Sequence, residues 1–300
     1  MRKLLSAAAV AVLASLVLPA GAPAGEKKVI EKTFDRVEEI RIETVLGGCT
    51  IEKGGDGIEV RLEYTYDDED FKARFREKGG ALYVEEVISG DDLEGESHWT
   101  IRVPAGISVE FESATGSLEA SGLSGELEAS SGTGSISIGD FAGELEVSSG
   151  TGDIEISGCK GELEAGSGTG DVVMERCVGD YELSSGTGDV EARDFEIAAT
   201  GEFSSGTGET EIELPGGEDY ELDVSSGTGD AGIDCRGRDL DAYVEMRTGR
   251  KAGRIRSSFG FDGEEESEGD NGHILKYLTS GNGKRKISIS TGTGTARLKK

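Results

Sequence analysis

Short stretches of alternating apolar and polar residues recur along most of this chain, and each brackets the same tetrapeptide. Leu145 and Val147 precede Ser149-Gly150-Thr151-Gly152, and Ile154 and Ile156 follow it. Charged or small residues fill the places between. The same spacing brings Leu127 and Ala129, Leu163 and Ala165, Tyr181 and Leu183, and Leu222 and Val224 ahead of later copies. Ile136 and Ile138, Val172 and Met174, and Val190 and Ala192 follow them. A third apolar position falls eight residues after the Thr, at Leu123, Phe141, Cys159, Cys177 and Phe195. Alternation of period two is the signature of a strand with one buried face. Each unit therefore predicts two short strands and a corner.

The Thr of the tetrapeptide marks the period. It stands at 115, 133, 151, 169, 187, 207, 228, 248 and 293, so the first four steps are 18 residues and the next three 20, 21 and 20. A unit this short cannot bury one face alone, but stacked copies can pair equivalent strands and share a core. The expected fold is all-β: a single-stranded parallel β-solenoid, or β-helix, of roughly 18–21-residue coils. An antiparallel sandwich of hairpins is the alternative, and constant columns at fixed spacing favour the solenoid. Gly on both sides of the Thr suggests a corner that needs positive φ or close backbone approach.

Ile40, Ile42, Gly47-Gly48, Cys49 and Ile51 occupy the same relative places near the N-terminus and read as a first coil. Ile58–Leu62, Phe71–Phe75 and Leu82–Val84 read as ordinary strands forming an N-terminal cap, since terminal repeats must hide an open sheet edge. The organisation expected is a signal peptide over 1–24, first coil and capping strands over 25–104, solenoid repeats over 105–260, and an acidic loop with a C-terminal coil over 261–300. In the first segment Arg2 and Lys3 precede a 15-residue apolar run from Leu4 to Leu18, and Ala22-Pro23-Ala24 supplies small residues for cleavage. No second apolar run follows, so no transmembrane segment is expected in the mature chain. Four Cys and no C-x-x-C argue against a disulfide-dense scaffold, a zinc ribbon or a redox motif.

Ile101-Arg102-Val103-Pro104-Ala105-Gly106, followed by the tandem Ser-Gly-Thr-Gly-Asp units, resembles the bacterial β-strand-repeat family known as "putative adhesins", a domain of unknown function. Ile40 to Ile51 and Ile287 to Leu298 also fit its pattern, so the resemblance covers nearly the whole mature chain. It implies an exported β-solenoid and carries no catalytic motif.

The charge is lopsided. Sixty acids against 31 bases give a formal net charge of −29, and removing Arg2 and Lys3 gives 29 − 60 = −31. That excludes nucleic-acid binding, which needs a basic footprint. Glu128, Glu146, Glu164 and Glu182 all stand five residues before the Thr, so stacked coils would set them in a ladder. Neighbouring unit charges about 5 Å apart repel by roughly 0.8 kcal/mol even in water. These four residues are candidate ligands of a weak Ca²⁺ site, because Ca²⁺ takes hard oxygen donors; the plainer reading is a solvated face that keeps an exposed sheet soluble. No other cofactor is expected. Residues 235–300 hold 14 bases and nine acids, a local excess of 14 − 9 = +5. That excess suggests an interaction end, with an envelope component, a surface polymer or the acidic flank of a second copy as partner.

Catalysis finds little footing. Two His stand in the whole chain: His98 beside Trp99 reads as a strand-edge pair, and His273 borders the acidic loop with no nucleophile near it. The Ser and Thr of the corners are repeated, and repeated residues are architectural. The expected function is a non-enzymatic structural or adhesion-like protein of the bacterial envelope, periplasmic or at the cell surface. The alternatives are a carbohydrate-active β-helix enzyme, which would use paired carboxylates, and a cation-responsive envelope accessory protein.

Overall fold

The computed structural model describes residues 26–89, 94–267 and 272–300. The expected signal peptide lies outside the described residues, as does part of the acidic loop. The described residues hold strands and turns and no helix. They divide into two compact units, 1–133 and 134–300. The strands are divided between two sheets, mostly of parallel strands.

In the second unit the repeat sets the register. Ala142–Thr151 pairs in parallel with Lys160–Thr169, placing Leu145 on Leu163, Glu146 on Glu164 and Thr151 on Thr169. Lys160–Thr169 pairs in the same way with Val178–Thr187. In the other sheet Ile136–Gly139, Ile154–Ser157, Val172–Glu175 and Val190–Arg193 stack in parallel, with Ile154 on Val172 and Ile156 on Met174. The apolar columns are closed to solvent: Leu145, Val147, Ile154, Ile156, Leu163, Ala165, Val172 and Met174 all expose 1% or less. Phe141, Cys159, Cys177 and Phe195 are buried too, so the third apolar position completes the core.

The 20-residue step before Thr207 is absorbed locally. Strand Glu196–Thr207 is 12 residues long, and its register against Val178–Thr187 shifts between Gly179 and Tyr181. The Asp180 carboxylate accepts the freed amides of Ala199 and Thr200 at 2.7 and 2.8 Å. Gly201 stands opposite Tyr181, and a Cβ there would meet Ile197 Cδ1 at 2.8 Å. Bulky neighbours thus fill the column where the sequence supplies no side chain.

Coil order departs from sequence order in both units. In the first, Glu39–Thr44 lies between Ile107–Ser113 and Ala81–Ile88, and Gly48–Lys53 lies between Leu118–Ser121 and Ser97–Val103. The segment read as a first coil is therefore flanked on both sides. Lys28–Phe34, Ile58–Tyr64 and Phe71–Lys78 make only antiparallel pairs, the last two with Ser97–Val103 and Ala81–Ile88. In the second unit Arg285–Thr293 pairs with Glu221–Thr228 on one side and Ala242–Gly249 on the other. The chain's last coil is thus inserted ahead of the one that precedes it in sequence. The corner explains the choice. A Cβ on Gly294 would meet Gly229 O at 1.9 Å, so the coil stacked on Gly229 must offer glycine there. Thr291-Gly292-Thr293-Gly294 does, whereas the coil of Thr248, which stands in register with Thr291, carries Lys251 where Gly294 would be.

The two outermost strands of this end are poor templates for further pairing. Arg254–Ser257 and Gly263–Glu266 are each four residues long and charged. Short, charged edges are a common defence against edge-to-edge association.

Candidate functional site

The tetrapeptide is a joint, and each of its residues has a separate task. Ser149, Ser167, Ser185, Ser205 and Ser226 are buried at the end of the long strand. Each hydroxyl donates to the glycine carbonyl of the neighbouring coil, Ser185 Oγ to Gly170 O at 2.8 Å and Ser167 Oγ to Gly152 O at 2.9 Å. The Ser and Thr thus belong to a strand end, and the turn itself begins after the Thr. The first glycine is needed for approach, since a Cβ on Gly186 would meet Gly168 O at 2.7 Å. The second needs positive φ, +145° at Gly170 and +144° at Gly188, a region L side chains avoid. The aspartate that follows ties successive turns: Asp171 Oδ1 accepts the Asp189 amide at 2.8 Å, as Asp153 Oδ1 accepts that of Asp171 at 2.9 Å. The corner serine hydroxyls and aspartate carboxylates are thus spent on neighbouring coils.

The outward face of the longer strands is different. Glu146, Glu164, Glu182, Glu202 and Asp223 stand in one parallel register, and Glu144, Glu162 and Asp180 form a second column beside them. The ladder read from the sequence is therefore real over Glu146, Glu164 and Glu182. The sheet is concave here and forms a trough of about 660 Å³. Ten carboxylates line it (Glu144, Glu146, Glu162, Glu164, Asp180, Glu182, Glu202, Glu221, Asp223 and Glu245) against one base, Lys286. Lys286 Nζ is itself paired with Glu221 at 2.6 Å. Tyr243 closes one side and donates to Glu245 at 2.8 Å.

Crowding on the concave face shows in the electrostatics. Asp223 keeps an open surface, yet partial desolvation among the surrounding strands holds its carboxyl above the usual range, against the opposing pull of the Ser288 hydroxyl and Arg247. Asp234, on the other sheet, is the reverse case. Lys299 Nζ at 2.8 Å and the Arg236 amide at 2.8 Å bind its carboxylate and hold it below the usual range.

Glu128 lies in the first unit, in strand Ser124–Thr133 opposite Glu110. Arg41 reaches Glu110 at 2.9 Å. Among the described residues no three His, Cys, Asp or Glu side chains converge as metal ligands. His98 is not at a sheet edge: its strand Ser97–Val103 pairs on both sides, with His98 on the exposed face and Trp99 fully buried on the other. Its Nε2 lies 3.0 Å from the Thr50 hydroxyl, an ordinary surface bond.

One functional-looking group had no signal in the repeat. Glu86 is 5% exposed, and its Oε2 accepts the backbone amides of Val45, Leu46 and Gly47 at 2.7, 3.0 and 3.1 Å, while Ser97 donates to its other oxygen. It is fully partnered and holds a turn. Its only mark in the sequence is an acid standing in the apolar strand Ala81–Ile88.

Stacked short strands, two mostly parallel sheets and one-residue-wide core columns define an all-β repeat protein. The match to known families is specific: the chain belongs to the Toastrack DUF4097 family, whose profile covers residues 38–253. No curated protein matches the chain. Among solved structures it is similar to a "putative adhesin" from Parabacteroides distasonis, at 11% identity and a TM-score of 0.46 over 91% of this chain and 97% of that one. A "putative adhesin" from Bacteroides fragilis aligns at 17% identity and a TM-score of 0.39 over 90% and 97%. A "putative lipid binding protein" from Parabacteroides distasonis aligns at 13% identity and 0.28 over 92% and 97%.

Proposed function

We propose that this chain is an exported, non-enzymatic, adhesion-like structural protein of the bacterial envelope. In this reading it is a β-solenoid of 18–21-residue coils whose antiparallel N-terminal strands form a cap, and its trough is a contact surface for a cationic envelope component or surface polymer. The observation that carries the reading is the trough, lined by ten carboxylates, eight of them in two register columns, against a single paired lysine. A surface of one charge sign raises the local concentration of an oppositely charged partner and speeds its capture, most of all where the face is concave. The corner serine hydroxyls and aspartate carboxylates are spent on neighbouring coils, which weighs against their use in hydrolysis or lyase chemistry.

Binding of an oligolysine peptide to the mature chain, followed by calorimetry at low and at moderate salt, tests this. Binding should weaken steeply with salt. It should fall at least about tenfold in an E164Q/E182Q/E202Q variant, since three charges at a local cost near 0.5 kcal/mol each are removed. Equal binding by the variant rejects the trough as the contact surface. The same carboxylates support a second reading, a weak Ca²⁺ response through Glu146, Glu164 and Glu182. Millimolar CaCl₂ should then raise the melting temperature more than MgCl₂, through linkage to the folded state. A rise matched by NaCl of equal ionic strength marks plain screening. Export is tested separately, by fractionating cells and sequencing the N-terminus of the mature chain.

A further inference from the structure

The third core column of the second unit runs Phe141, Cys159, Cys177, Phe195, all buried. Two successive coils thus carry cysteine where their neighbours carry phenylalanine. The backbone stacks tightly at this column: Lys160 N donates to Phe141 O at 2.8 Å, Val178 N to Cys159 O at 2.9 Å, and Glu196 N to Cys177 O at 3.0 Å. Parallel neighbours in such a stack lie about 4.8 Å apart, inside the Cα range of roughly 4.4–6.8 Å that a disulfide spans.

The side chains are placed to meet. The Cys159 amide donates to Cys177 Sγ at 3.4 Å, so the Cys177 thiol leans back toward the preceding coil. Both thiols adopt the same setting, Cys159 Sγ against Ser157 O at 3.4 Å and Cys177 Sγ against Glu175 O at 3.3 Å. Cys49 and Cys235 are also buried but have no cysteine beside them in their columns: Cys49 stands in register with Trp99 and Leu118, and the Cys235 amide is bonded to Lys299 O at 2.8 Å.

We propose that Cys159 and Cys177 are a cross-linking site, closing to a disulfide that staples two successive coils. The proposal rests on the exported, oxidising location inferred above. The oxidant is a disulfide, either a protein thiol oxidase or a low-molecular-weight disulfide of the compartment. One thiolate attacks it, forming a mixed disulfide and releasing one thiolate of the oxidant. The second cysteine thiolate then attacks the mixed disulfide at the first cysteine's sulfur and releases the other. Two thiols of the chain are oxidised, the oxidant's disulfide is reduced to two thiols, and the two cysteine protons reach the released thiolates by way of solvent. Both thiols are shut in the folded core, so exchange occurs before the coils stack or when they open locally.

The test uses the mature chain, refolded from denaturant with excess oxidised glutathione and, in parallel, with reductant. Because the redox buffer is supplied, its outcome does not depend on where the protein is exported. The oxidised sample should lose two hydrogens in intact mass and give a single cross-linked peptide joining Cys159 to Cys177, while Cys49 and Cys235 remain open to alkylation after unfolding. The cross-link should shift the unfolding equilibrium about 100-fold toward the folded state in urea, the effect expected for a loop of this size. C159S should abolish the mass loss and the shift, and a C49S/C235S variant should keep both. C159A/C177A shows whether the reduced pair is needed for folding. Four alkylatable thiols after oxidative refolding, or a cross-link that includes Cys49 or Cys235, overturns the assignment.

Discussion

In the regular coils of residues 134–234 each corner is tied by a hydroxyl, as where Ser185 donates to Gly170 O at 2.8 Å. The corner at Val45–Gly47 in the first unit has the same shape of problem and a different answer. Thr44 holds the register position of the corner serines, opposite Ser113. Its hydroxyl is buried and finds no partner. The Glu86 carboxylate takes three amides of that turn instead. A repeated corner can be tied by a short side chain because the next coil always presents a carbonyl at the same place. A corner next to irregular strands lacks that carbonyl and borrows a longer acid from the neighbouring strand. The first solution copies itself along the stack; the second works once.

Five substitutions separate the two solutions. Glu86→Ala should cost the most, about 4 kcal/mol, since it strips a buried turn of three charge-assisted acceptor bonds; urea unfolding measures it, and a loss below that of the serine variant described below would break the comparison. Gly188→Ala should follow at about 3 kcal/mol, because φ is +144° and the new Cβ would press on Gly170 O at 2.2 Å. Gly79→Ala tests how much of that is the clash, since Gly79 has φ +66° and open space around its Cβ, so its cost should stay near 1 kcal/mol. Ser185→Ala should cost about 1 kcal/mol, one neutral hydrogen bond, and the same change at Ser167 should match it if the ladder is as uniform as its distances.

The smallest effects lie in pH. Asp234 has a carboxyl held below the usual range by Lys299 and the Arg236 amide. Its contribution is complete above the ordinary aspartate value of about 4 and is lost as pH falls through the lower folded value. Asp223 has a raised carboxyl, so its ionised form costs stability, and that cost is relieved as pH falls through the folded value. Asp234→Asn should therefore lower the urea midpoint at neutral pH and flatten its acid limb. Asp223→Asn should raise the neutral midpoint and leave the strongly acid one unchanged. Midpoints measured from neutral to acid pH that move in the same direction for both variants would contradict this assignment of the two faces.

Much of the architecture was legible because the repeat imposes it. Alternation at Leu145, Val147, Ile154 and Ile156 admits one buried face, and a column that recurs every 18 residues from Thr115 to Thr187 can be satisfied by stacking like on like. The ladder at Glu146, Glu164 and Glu182 follows from the same register. Its concavity did not, because curvature comes from the twist of a whole sheet and gathers Tyr243, Glu245 and Lys286 from outside the regular repeats.

The chain by itself determined which residues face inward, where the corners fall and what sign of charge the surface carries, since these depend on neighbours a few residues away. Only the tertiary structure decided which coil stacks on which. Arg285–Thr293 enters between strands that end at Thr228 and begin at Ala242, and Glu39–Thr44 enters between Ala81–Ile88 and Ile107–Ser113. Those choices are settled by contacts between segments far apart in sequence. A glycine corner accepts only a coil that brings its own glycine, because any Cβ there would fall about 2 Å from the stacked carbonyl, and chain order places no constraint on which segment supplies it.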